Sequence, residues 1–445
     1  MSMICRRKVL TQFDAETNFP NSHHIRRVFS LSVTPTIMRP FSRYPNITRT
    51  LVPYRRYLSS LPQGRLPQGY TQPTPAKDDL IIVAMSSGVD SSVAASLYAK
   101  EFPRVQGLFM SNWNQLDSER CLEEDWKDVQ KVCDQLKIPL EQASFEKEYW
   151  LDVFEPMIEG YAKGITPNPD INCNRYVKFG RLIEYVAQKY NKERWWLVTG
   201  HYSRILTDVS TGAPHLLRSF YKKKDQSYYL SQINPNVLHN VLLPIGHFTK
   251  PEVRDMAHNL ALPVADKPDS TGLCFVNPTQ GNFQDFLRNF ITETPGKIIT
   301  EDGKVWGDHD GLWNFTIGQK CGISMPQGDP KYKGTWFVSE KRYETNEVVI
   351  VRGGDNEKLF KSVVYVDAFK TLEDGMDLKS FNVSELTVQY RSLQEPSSVK
   401  SITKGKDDKF VFELTQKRRA IAQGQYLGVY HGDRCLGSGV IEFVE

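Results

Sequence analysis

Three patterns that would point to other function classes are missing from these 445 residues. No apolar run approaches the roughly 18 residues that a membrane-spanning helix needs, and the longest, Leu80–Met85, has the length of a strand. No Gly-x-x-x-x-Gly-Lys-Ser/Thr motif occurs, which excludes a Walker-type nucleotide site. None of the seven cysteines forms a Cys-x-x-Cys pair. We therefore expect no membrane association, no zinc and no iron–sulfur cluster.

Acidic residues are scarce at the start of the chain. Residues 1–60 contain nine Arg and one Lys but only one Asp and one Glu, a net charge of +8, so the remaining residues carry −4 of the total +4. A basic, Ser/Thr-rich segment is typical of a mitochondrial transit peptide. A disordered basic tail is the alternative. We expect 1–60 to direct the chain to the mitochondrial matrix, and 61–77, rich in Pro, Gly and Gln, to be a linker.

Short apolar segments alternate with helical patterns over residues 78–280. Strand patterns at Leu80–Met85 and Val105–Met110 are each followed by a helical pattern, and the alternation continues to a strand at Trp195–Thr199. This order predicts an α/β fold, with a parallel sheet covered by helices on both faces.

The rest of the chain has a different character. Residues 281–345 begin with a predicted helix and continue as Gly-punctuated short segments, which indicates a small central α+β domain. From 346 to 445 the pattern is short strands and turns, and the first of these strands is Glu347–Val351. This part predicts a C-terminal all-β barrel.

The run Ser86–Ser92 (SSGVDSS) joins the first predicted strand to a helix. Small residues let the backbone curl closely, and its N–H groups together with the helix N-terminus form a site for anions. Asp90 is anionic and therefore suits a helix N-cap or a Mg²⁺ ion better than a phosphate. The run resembles the pyrophosphate loop of the ATP-pyrophosphatase superfamily, whose members cleave ATP between the α and β phosphates. That superfamily usually has Gly where this chain has Ser87.

Two cysteines lie in segments with a polar, turn-like composition. Cys173 follows two prolines in TPNPDINCN, and because proline disfavours a helix before it, we expect a helix to begin at or just after Cys173. A thiol at a helix N-terminus has a lowered pKa. Asp170, one short turn earlier, has the chemistry of a general acid or base. Cys274 lies in DSTGLCF, where Gly272 permits a tight loop.

These segments, in this order, resemble the tRNA-specific 2-thiouridylase family. The resemblance runs from about residue 79 to the C-terminus and includes SSGVDSS, GLFMSNW, TPNPDINCN, VTGHYSR, KKDQSYYL, PDSTGLCF, GLWNFTIGQKCGI and GQYLGVYHGDRCLGSGVI. It implies an ATP-pyrophosphatase (adenine nucleotide alpha hydrolase-like) domain. It also implies an enzyme that uses ATP with Mg²⁺ to adenylate the 2-oxygen of the wobble uridine in mitochondrial tRNAs of the Lys, Glu and Gln type, and then replaces that oxygen with sulfur.

The resemblance also implies roles for individual residues. Cys274 would carry the persulfide, Cys173 would attack it and leave a Cys173–Cys274 disulfide, and Asp170 would be the acid/base residue. The residues implied to bind ATP are Ala84, Met85, Ser86, Ser87, Gly88, Val89, Asp90, Ser91, Met110 and Gly200. Those implied to bind tRNA are Asn168, Pro169 and Asp170 at the target base, with His201, Lys224, Asp225, Gln226, Gln389, Tyr390 and Gln425 elsewhere. The family usually has Arg at the position of Gln389.

The same resemblance implies a monomer that receives sulfur from a persulfide donor protein of the cysteine desulfurase or rhodanese type. Two other interpretations stay open. A small-molecule adenylating ligase would share the phosphate loop but would not need Cys173 and Cys274. A non-catalytic tRNA-binding protein would keep the RNA contacts, with its phosphate loop disabled by Ser87.

Overall fold

The computed structural model describes residues 64–113, 119–269, 283–326, 328–406 and 408–445. The predicted transit peptide (1–60) and Cys274 lie outside these ranges. Within them, no helix combines the length and the apolar character needed to cross a membrane.

The described residues form three sheets and a set of helices. The strands are β1 Tyr70–Thr71, β2 Leu80–Met85, β3 Val105–Ser111, β4 Leu140–Ser144, β5 Trp195–Val198, β6 Ser203–Asp208, β7 Pro214–Arg218, β8 Val241–Leu242, β9 Gly296–Thr300, β10 Val305–His309, β11 Trp336–Arg342, β12 Glu347–Arg352, β13 Phe360–Thr371, β14 Leu386–Gln389, β15 Ser397–Lys404, β16 Phe410–Arg419, β17 Tyr426–His431 and β18 Arg434–Val444. The α-helices are α1 Val89–Glu101, α2 Glu119–Leu136, α3 Glu146–Tyr149, α4 Glu155–Ala162, α5 Pro169–Asn172, α6 Leu182–Lys189, α7 Lys250–Asn259 and α8 Phe283–Arg288. π-Helical stretches, Trp150–Phe154 and Cys173–Arg181, join α3 to α4 and α5 to α6.

The first sheet is parallel throughout, with the order β4-β3-β2-β5-β8. Side chains of β2 alternate between two apolar clusters. Ile81 and Val83 pack with side chains of α1 and α7, whereas Leu80 and Ile82 pack in the cluster that includes Cys173. A strand buried on both faces explains why Leu80–Met85 reads as a continuous apolar run. The predicted α/β domain with helices on both faces is confirmed.

The central sheet has the order β10-β9-β12-β11. Its strand β12 pairs parallel to β9 and antiparallel to β11, so it is an interior strand. The strand pattern at Glu347–Val351 is predicted above to be the first strand of the C-terminal barrel. That assignment is wrong, because the central sheet extends to Arg352. An apolar strand with no charged face carries no sign of which neighbouring sheet will bury it.

The C-terminal strands close into a barrel. The order β18-β13-β16-β15-β14-β17 is antiparallel at each step, and β17 pairs back to β18. The predicted all-β barrel is therefore confirmed. The hairpin β6–β7, which lies in the chain between strands β5 and β8 of the parallel sheet, continues the barrel sheet through a pairing of Leu217 with Arg434. This hairpin and the barrel thus share one sheet.

The described part of the expected linker is docked rather than extended in solvent. Tyr70 and Thr71 form β1, which pairs antiparallel with β6. The Tyr70 hydroxyl lies 3.0 Å from Nδ1 of His215 in β7. Composition alone suggested a linker, but Pro and Gly do not prevent a short edge strand from forming.

Candidate active site

The phosphate loop lies between β2 and α1, as its sequence predicts. Gly88, with an extended backbone, is the N-cap of α1. The loop is held by its own hydroxyl groups: Ser91 Oγ donates to the carbonyl of Ser86 at 2.8 Å, and Ser92 Oγ donates to the carbonyl of Gly88 at 2.9 Å. Ser87 is not among the described residues with a positive φ. The loop therefore does not need glycine's conformational freedom at that position.

Asp90 is held by two neighbours that the sequence analysis did not single out. Its carboxylate accepts hydrogen bonds from Lys250 Nζ at 2.8 and 2.9 Å and from the Tyr202 hydroxyl at 3.0 Å. Asp90 is the second residue of α1, so it is not the N-cap, and its negative charge is already matched by Lys250. The arrangement places a cation at the phosphate loop.

Lys250 belongs to a larger ion-pair network that centres on Asp269. The Asp269 carboxylate lies 2.9 Å from Lys250 Nζ, 2.7 Å from Lys224 Nζ and 2.9 Å from Arg254 Nη2. These cations hold the pKa of Asp269 at about 2, against the opposing effect of its partial burial. A capping-box sequence, Thr249-x-x-Glu252, marks the start of α7 and was the signal that could have located Lys250.

The loop after β5 connects the phosphate loop to the helix of Cys173. A Cβ atom on Gly200 would lie 2.7 Å from the backbone nitrogen of Ser91, so this glycine allows the two backbones to touch. The next residue, His201, places its ring 5.6 Å from that of Phe179. Since β2 leads to β3 on one side and β5 lies on the other, this is the point where the strand order reverses, the usual ligand crevice of such sheets.

Cys173 does not lie at the N-terminus of a helix, because α5 runs into the π-helical stretch that starts with it. Helical backbone begins at Pro169, and Asn168 caps it by accepting the N–H of Ile171 at 3.2 Å. The N–H of Cys173 is bonded to the carbonyls of Asp170 and Pro169, so it is not a free group of the terminus. The predicted helix start is wrong, and the helix dipole acts mainly on Asp170, one turn earlier. Proline is well tolerated at the first position of a helix, so Pro169 can begin the helix even though proline disfavours later helical positions.

Asp170 has the electrostatic character of a proton donor. Burial raises the pKa of its carboxyl group, and the charge of Lys178 opposes that shift only in part. A carboxyl group with a raised pKa holds a proton closer to neutral pH than an exposed one. Its backbone carbonyl accepts a hydrogen bond from Asn174 Nδ2 at 3.0 Å, which ties the first helical turn to the residue after Cys173.

The barrel contributes to this loop directly. Gln425 Nε2 donates to the carbonyl of Thr166 at 2.8 Å, and Asn168 Nδ2 donates to Gln425 Oε1 at 3.1 Å. Gly424 packs against the backbone of Thr166, where a Cβ atom would lie 3.0 Å from it. The segment that carries Asn168 and Asp170 is therefore fixed by residues more than 250 positions later.

Three residues that the resemblance implied to bind tRNA have buried side chains. Arg218 Nη1 donates to Gln389 Oε1 at 2.7 Å and pairs with Asp225 at 3.1 Å, and Gln389 and Asp225 are 1% and 5% exposed. Tyr390 is also buried, with its hydroxyl on the carbonyl of Arg419. The bond of Arg218 to Gln389 joins the hairpin to the barrel, whereas the bond of Tyr390 to Arg419 lies within the barrel. The predicted tRNA contacts of Gln389, Asp225 and Tyr390 are corrected, because these side chains do not reach the surface.

The other implied tRNA residues have mixed surroundings. Burial lowers the pKa of His201 to about 3, so its imidazole is neutral at physiological pH and bonds Thr199 Oγ1 at 2.7 Å. Gln226 accepts the N–H of Tyr202 at 2.8 Å. Lys224 is partly exposed and pairs with Asp269. Of these, Lys224 has the chemistry of a phosphate contact.

Comparison with known proteins agrees with this architecture. Residues 79–278 match the profile of the tRNA methyl transferase HUP domain, 284–352 that of the tRNA methyl transferase PRC-barrel domain, and 363–441 that of the aminomethyltransferase beta-barrel domain. The mitochondrial tRNA-specific 2-thiouridylase 1 of Saccharomyces cerevisiae is 51% identical over 407 residues, which are 87% of this chain and 98% of the relative. The chain belongs to the tRNA-specific 2-thiouridylase family.

Other 2-thiouridylases match a similar share of the chain. The mitochondrial tRNA-specific 2-thiouridylase 1 of Schizosaccharomyces pombe is 37% identical, over 83% of this chain and 92% of its own. The tRNA-specific 2-thiouridylase of Ligilactobacillus salivarius is 39% identical, over 81% of this chain and 95% of its own. The predicted family is confirmed, and with it the class of tRNA sulfurtransferases.

The remaining described cysteines of this 2-thiouridylase fit a structural role. Burial raises the pKa of Cys133 and of Cys435 to about 12, and it also raises that of Cys321. Thiols with such pKa values stay protonated and are poor nucleophiles. Among the cysteines whose side chains the structure describes, Cys173 is also buried, but it directly follows the helical turn that carries Asp170.

Proposed function

We propose that this chain catalyses the ATP-dependent 2-thiolation of the wobble uridine in mitochondrial tRNAs of the Lys, Glu and Gln type, in the matrix. The observation that carries the proposal is the loop after β5. Through Gly200 it contacts the phosphate loop, and through His201 it contacts the helix that bears Cys173. A nucleotide-activating element and a thiol are thus supported by the same short segment.

The first step is activation of the uridine oxygen by ATP. An amide-like oxygen is a poor leaving group, so it must be converted before sulfur can replace it. The backbone N–H groups at the start of α1 face the position that the triphosphate would take, and Lys250 adds a positive charge there. These groups stabilise the negative charge that moves onto pyrophosphate as the uridine O2–phosphorus bond forms.

Mg²⁺ would arrive with the phosphates of ATP rather than occupy a site of its own. The nearest carboxylate of the loop, Asp90, is already bonded to Lys250 and Tyr202. Asp170, whose pKa is raised, would hold or release the proton at the target base.

The second step delivers sulfur. The Cys173 thiolate attacks the inner sulfur of a persulfide on Cys274 and forms the Cys173–Cys274 disulfide. The outer sulfur leaves as hydrosulfide, reduced by the electrons that the two cysteines give up. Hydrosulfide then attacks C2 of the adenylated uridine, and AMP leaves with the original oxygen. A reductant must open the disulfide before the next cycle, and a persulfide donor protein must reload Cys274.

The test is thiolation of mitochondrial tRNA transcript by the purified chain with ATP, Mg²⁺ and sulfide. Retarded migration in a mercury-containing gel reports thiolated tRNA, and AMP release reports activation. Sulfide as donor bypasses the persulfide, so the Cys173→Ser and Cys274→Ser variants are tested with a persulfide donor protein instead. Both should abolish thiolation and retain ATP and tRNA binding, whereas Cys321→Ser, the matched control, should stay active.

Other outcomes would favour the other interpretations. AMP without thiolated tRNA would indicate a different acceptor and a small-molecule ligase. Bound tRNA with no AMP would indicate a non-catalytic binding protein. Near-normal thiolation by either cysteine variant with a persulfide donor would contradict the two-cysteine mechanism.

A further inference from the structure

The residues just before the parallel sheet are anchored by Arg65. Its guanidinium group donates to both carboxylate oxygens of Glu252, at 2.6 and 2.9 Å, and to the carbonyl of His247 at 2.9 Å. The same group lies over the ring of Phe220, 4.6 Å from its centre. The Arg65 side chain is 15% exposed and that of Glu252 is 39% exposed, so the guanidinium side of this two-pronged ion pair is the one shielded from water.

Backbone contacts hold the same segment in place. The carbonyl of Arg65 accepts a hydrogen bond from Arg204 Nη1 at 2.9 Å. Gln72 Oε1 lies 2.8 Å from Nε2 of His247. Together with the pairing of β1 and β6, these contacts make residues 65–72 part of the folded unit. A segment with no more than a spacer role would not need an arginine held by both an ion pair and a ring.

Glu252 links this anchor to the start of α7. It is the third residue of the helix, and its Oε2 atom accepts both the N–H and the hydroxyl of the N-cap residue Thr249, each at 2.8 Å. Arg65 is the largest cause of the low pKa of Glu252, about 2, so the carboxylate is charged at neutral pH. Arg65 therefore holds the group that caps α7.

The first residue of α7 is Lys250, which contacts the phosphate loop. Its Nζ atom bonds both oxygens of Asp90, the second residue of α1. A continuous series of hydrogen bonds and one peptide link thus runs from Arg65 through Glu252 and Thr249 to Lys250 and on to Asp90. A displacement of the α7 N-terminus would move the Lys250 ammonium group away from the loop.

We propose that Arg65 is a positioning residue of the ATP site, which sets the place of Lys250 through Glu252. The inference rests on the proposed use of ATP. It extends the ATP site to a segment that precedes the nucleotide-binding sheet and that composition alone assigns to a linker. Arg65 itself touches no nucleotide.

The experiment is a direct titration of ATP into the full chain and its variants, in the absence of tRNA. Arg65→Ala should weaken ATP binding about fivefold or more, the range of ordinary coupling between sites, and leave tRNA binding unchanged. Glu252→Gln keeps a capping acceptor but loses the charge, and should have a similar effect. The double variant should be no weaker than the stronger single one, because both act through one link. Arg65→Lys should recover part of the loss.

Arg104→Ala is the matched control, since it removes a guanidinium group from an exposed ion pair with Glu193 of the same domain. It should leave ATP binding unchanged. A lower melting temperature in Arg65→Ala with unchanged ATP affinity would mean that Arg65 is structural only and would overturn the inference. If the parent chain binds ATP but forms no AMP with tRNA, the proposed function fails while the inference is still decided by the titration. If the parent chain does not bind ATP, both are wrong.

Discussion

Tyr426, at the start of β17, donates a hydrogen bond from its hydroxyl group to Oδ1 of Asn172 at 2.9 Å, and the two residues are 254 positions apart. Asn172 immediately precedes Cys173. Together with Gln425, which bonds the backbone at Thr166, Tyr426 fixes both ends of the segment that carries Asp170. The barrel is therefore a structural part of the candidate site.

Replacement of Tyr426 by Phe removes this bond and leaves the ring in place. We expect a loss of about 1 kcal/mol in the free energy of unfolding, the usual net value of one hydrogen bond. The thiolation rate should fall while ATP affinity is unchanged, because Tyr426 bonds the residue before Cys173 and no hydrogen bond among the described residues joins it to the phosphate loop. Urea unfolding, single-turnover thiolation and ATP titration measure the three quantities. Tyr365→Phe, which loses an exposed bond to Glu445 in the same barrel, is the control and should keep its rate.

Replacement of Gly200 by Ala should abolish ATP binding. The new Cβ atom would lie 2.7 Å from the backbone nitrogen of Ser91 and 2.9 Å from the backbone carbon of Asp90, and backbone atoms cannot rotate out of the way. The start of α1 would have to shift, and with it the N–H groups of the phosphate loop. Gly322→Ala, at a glycine with open space around it, should bind ATP normally. Normal ATP affinity in Gly200→Ala would show that the contact is not needed for the site.

Replacement of Ser87 by Gly should change little. The backbone at Ser87 has no positive φ, so glycine brings no conformational relief, and the loop is held by the hydroxyls of Ser91 and Ser92. We expect the Kd for ATP and the rate of AMP formation to stay within about twofold of the parent, because a substitution that disturbs no core packing, helix cap or buried hydrogen bond usually has a small effect. A large gain in AMP formation would favour the view that Ser87 disables the loop.

Replacement of Asp170 by Asn should stabilise the fold at neutral pH and abolish thiolation. The pKa of Asp170 is raised in the folded state, so the folded state binds the proton more tightly than the unfolded state. The stability of the parent therefore falls as the pH rises from the unfolded pKa of Asp through the folded one. The variant lacks this loss, and its melting temperature should exceed that of the parent more at pH 7 than at pH 4.

Asp208 provides the control of opposite sign. Hydrogen bonds from Ser210 and Thr211 lower its pKa to about 2, so its stabilising effect is present at neutral pH and is lost in acid. Asp208→Asn should therefore melt below the parent at pH 7, and the difference should shrink toward pH 2. A pH-independent difference for Asp170→Asn would contradict a raised pKa.

Most of the fold could be predicted from local sequence patterns. The strands Leu80–Met85 and Val105–Ser111 lie where their apolar residues indicate. The docked strand Tyr70–Thr71 and the place of β12 were not predictable, because each depends on a partner far away in sequence. The spacing of Asp170 and Cys173 by one short turn follows from the sequence. The helix start at Pro169 does not, because a proline can mark either the end of a helix or its first position.

The site residues divide in the same way. Phosphate-loop residues follow from a contiguous motif. Lys250 and Arg65 act through tertiary contacts, and no spacing rule connects residue 65 with residue 252. Gln389 and Tyr390 are the opposite case. The family resemblance implies that they bind tRNA, but in the structure both side chains are buried. Whether a side chain is buried depends on which elements of the fold pack against it, and a short motif does not contain that information.

The bond between Tyr426 and Asn172 can form only late in the synthesis of the chain. The ribosome adds the residues of the parallel sheet, the phosphate loop and the helix of Cys173 long before it adds Gln425 and Tyr426. Until those two residues emerge, the loop before Cys173 lacks the partners that fix it. The segment that carries Asp170 therefore reaches its final position only after β17 has been made.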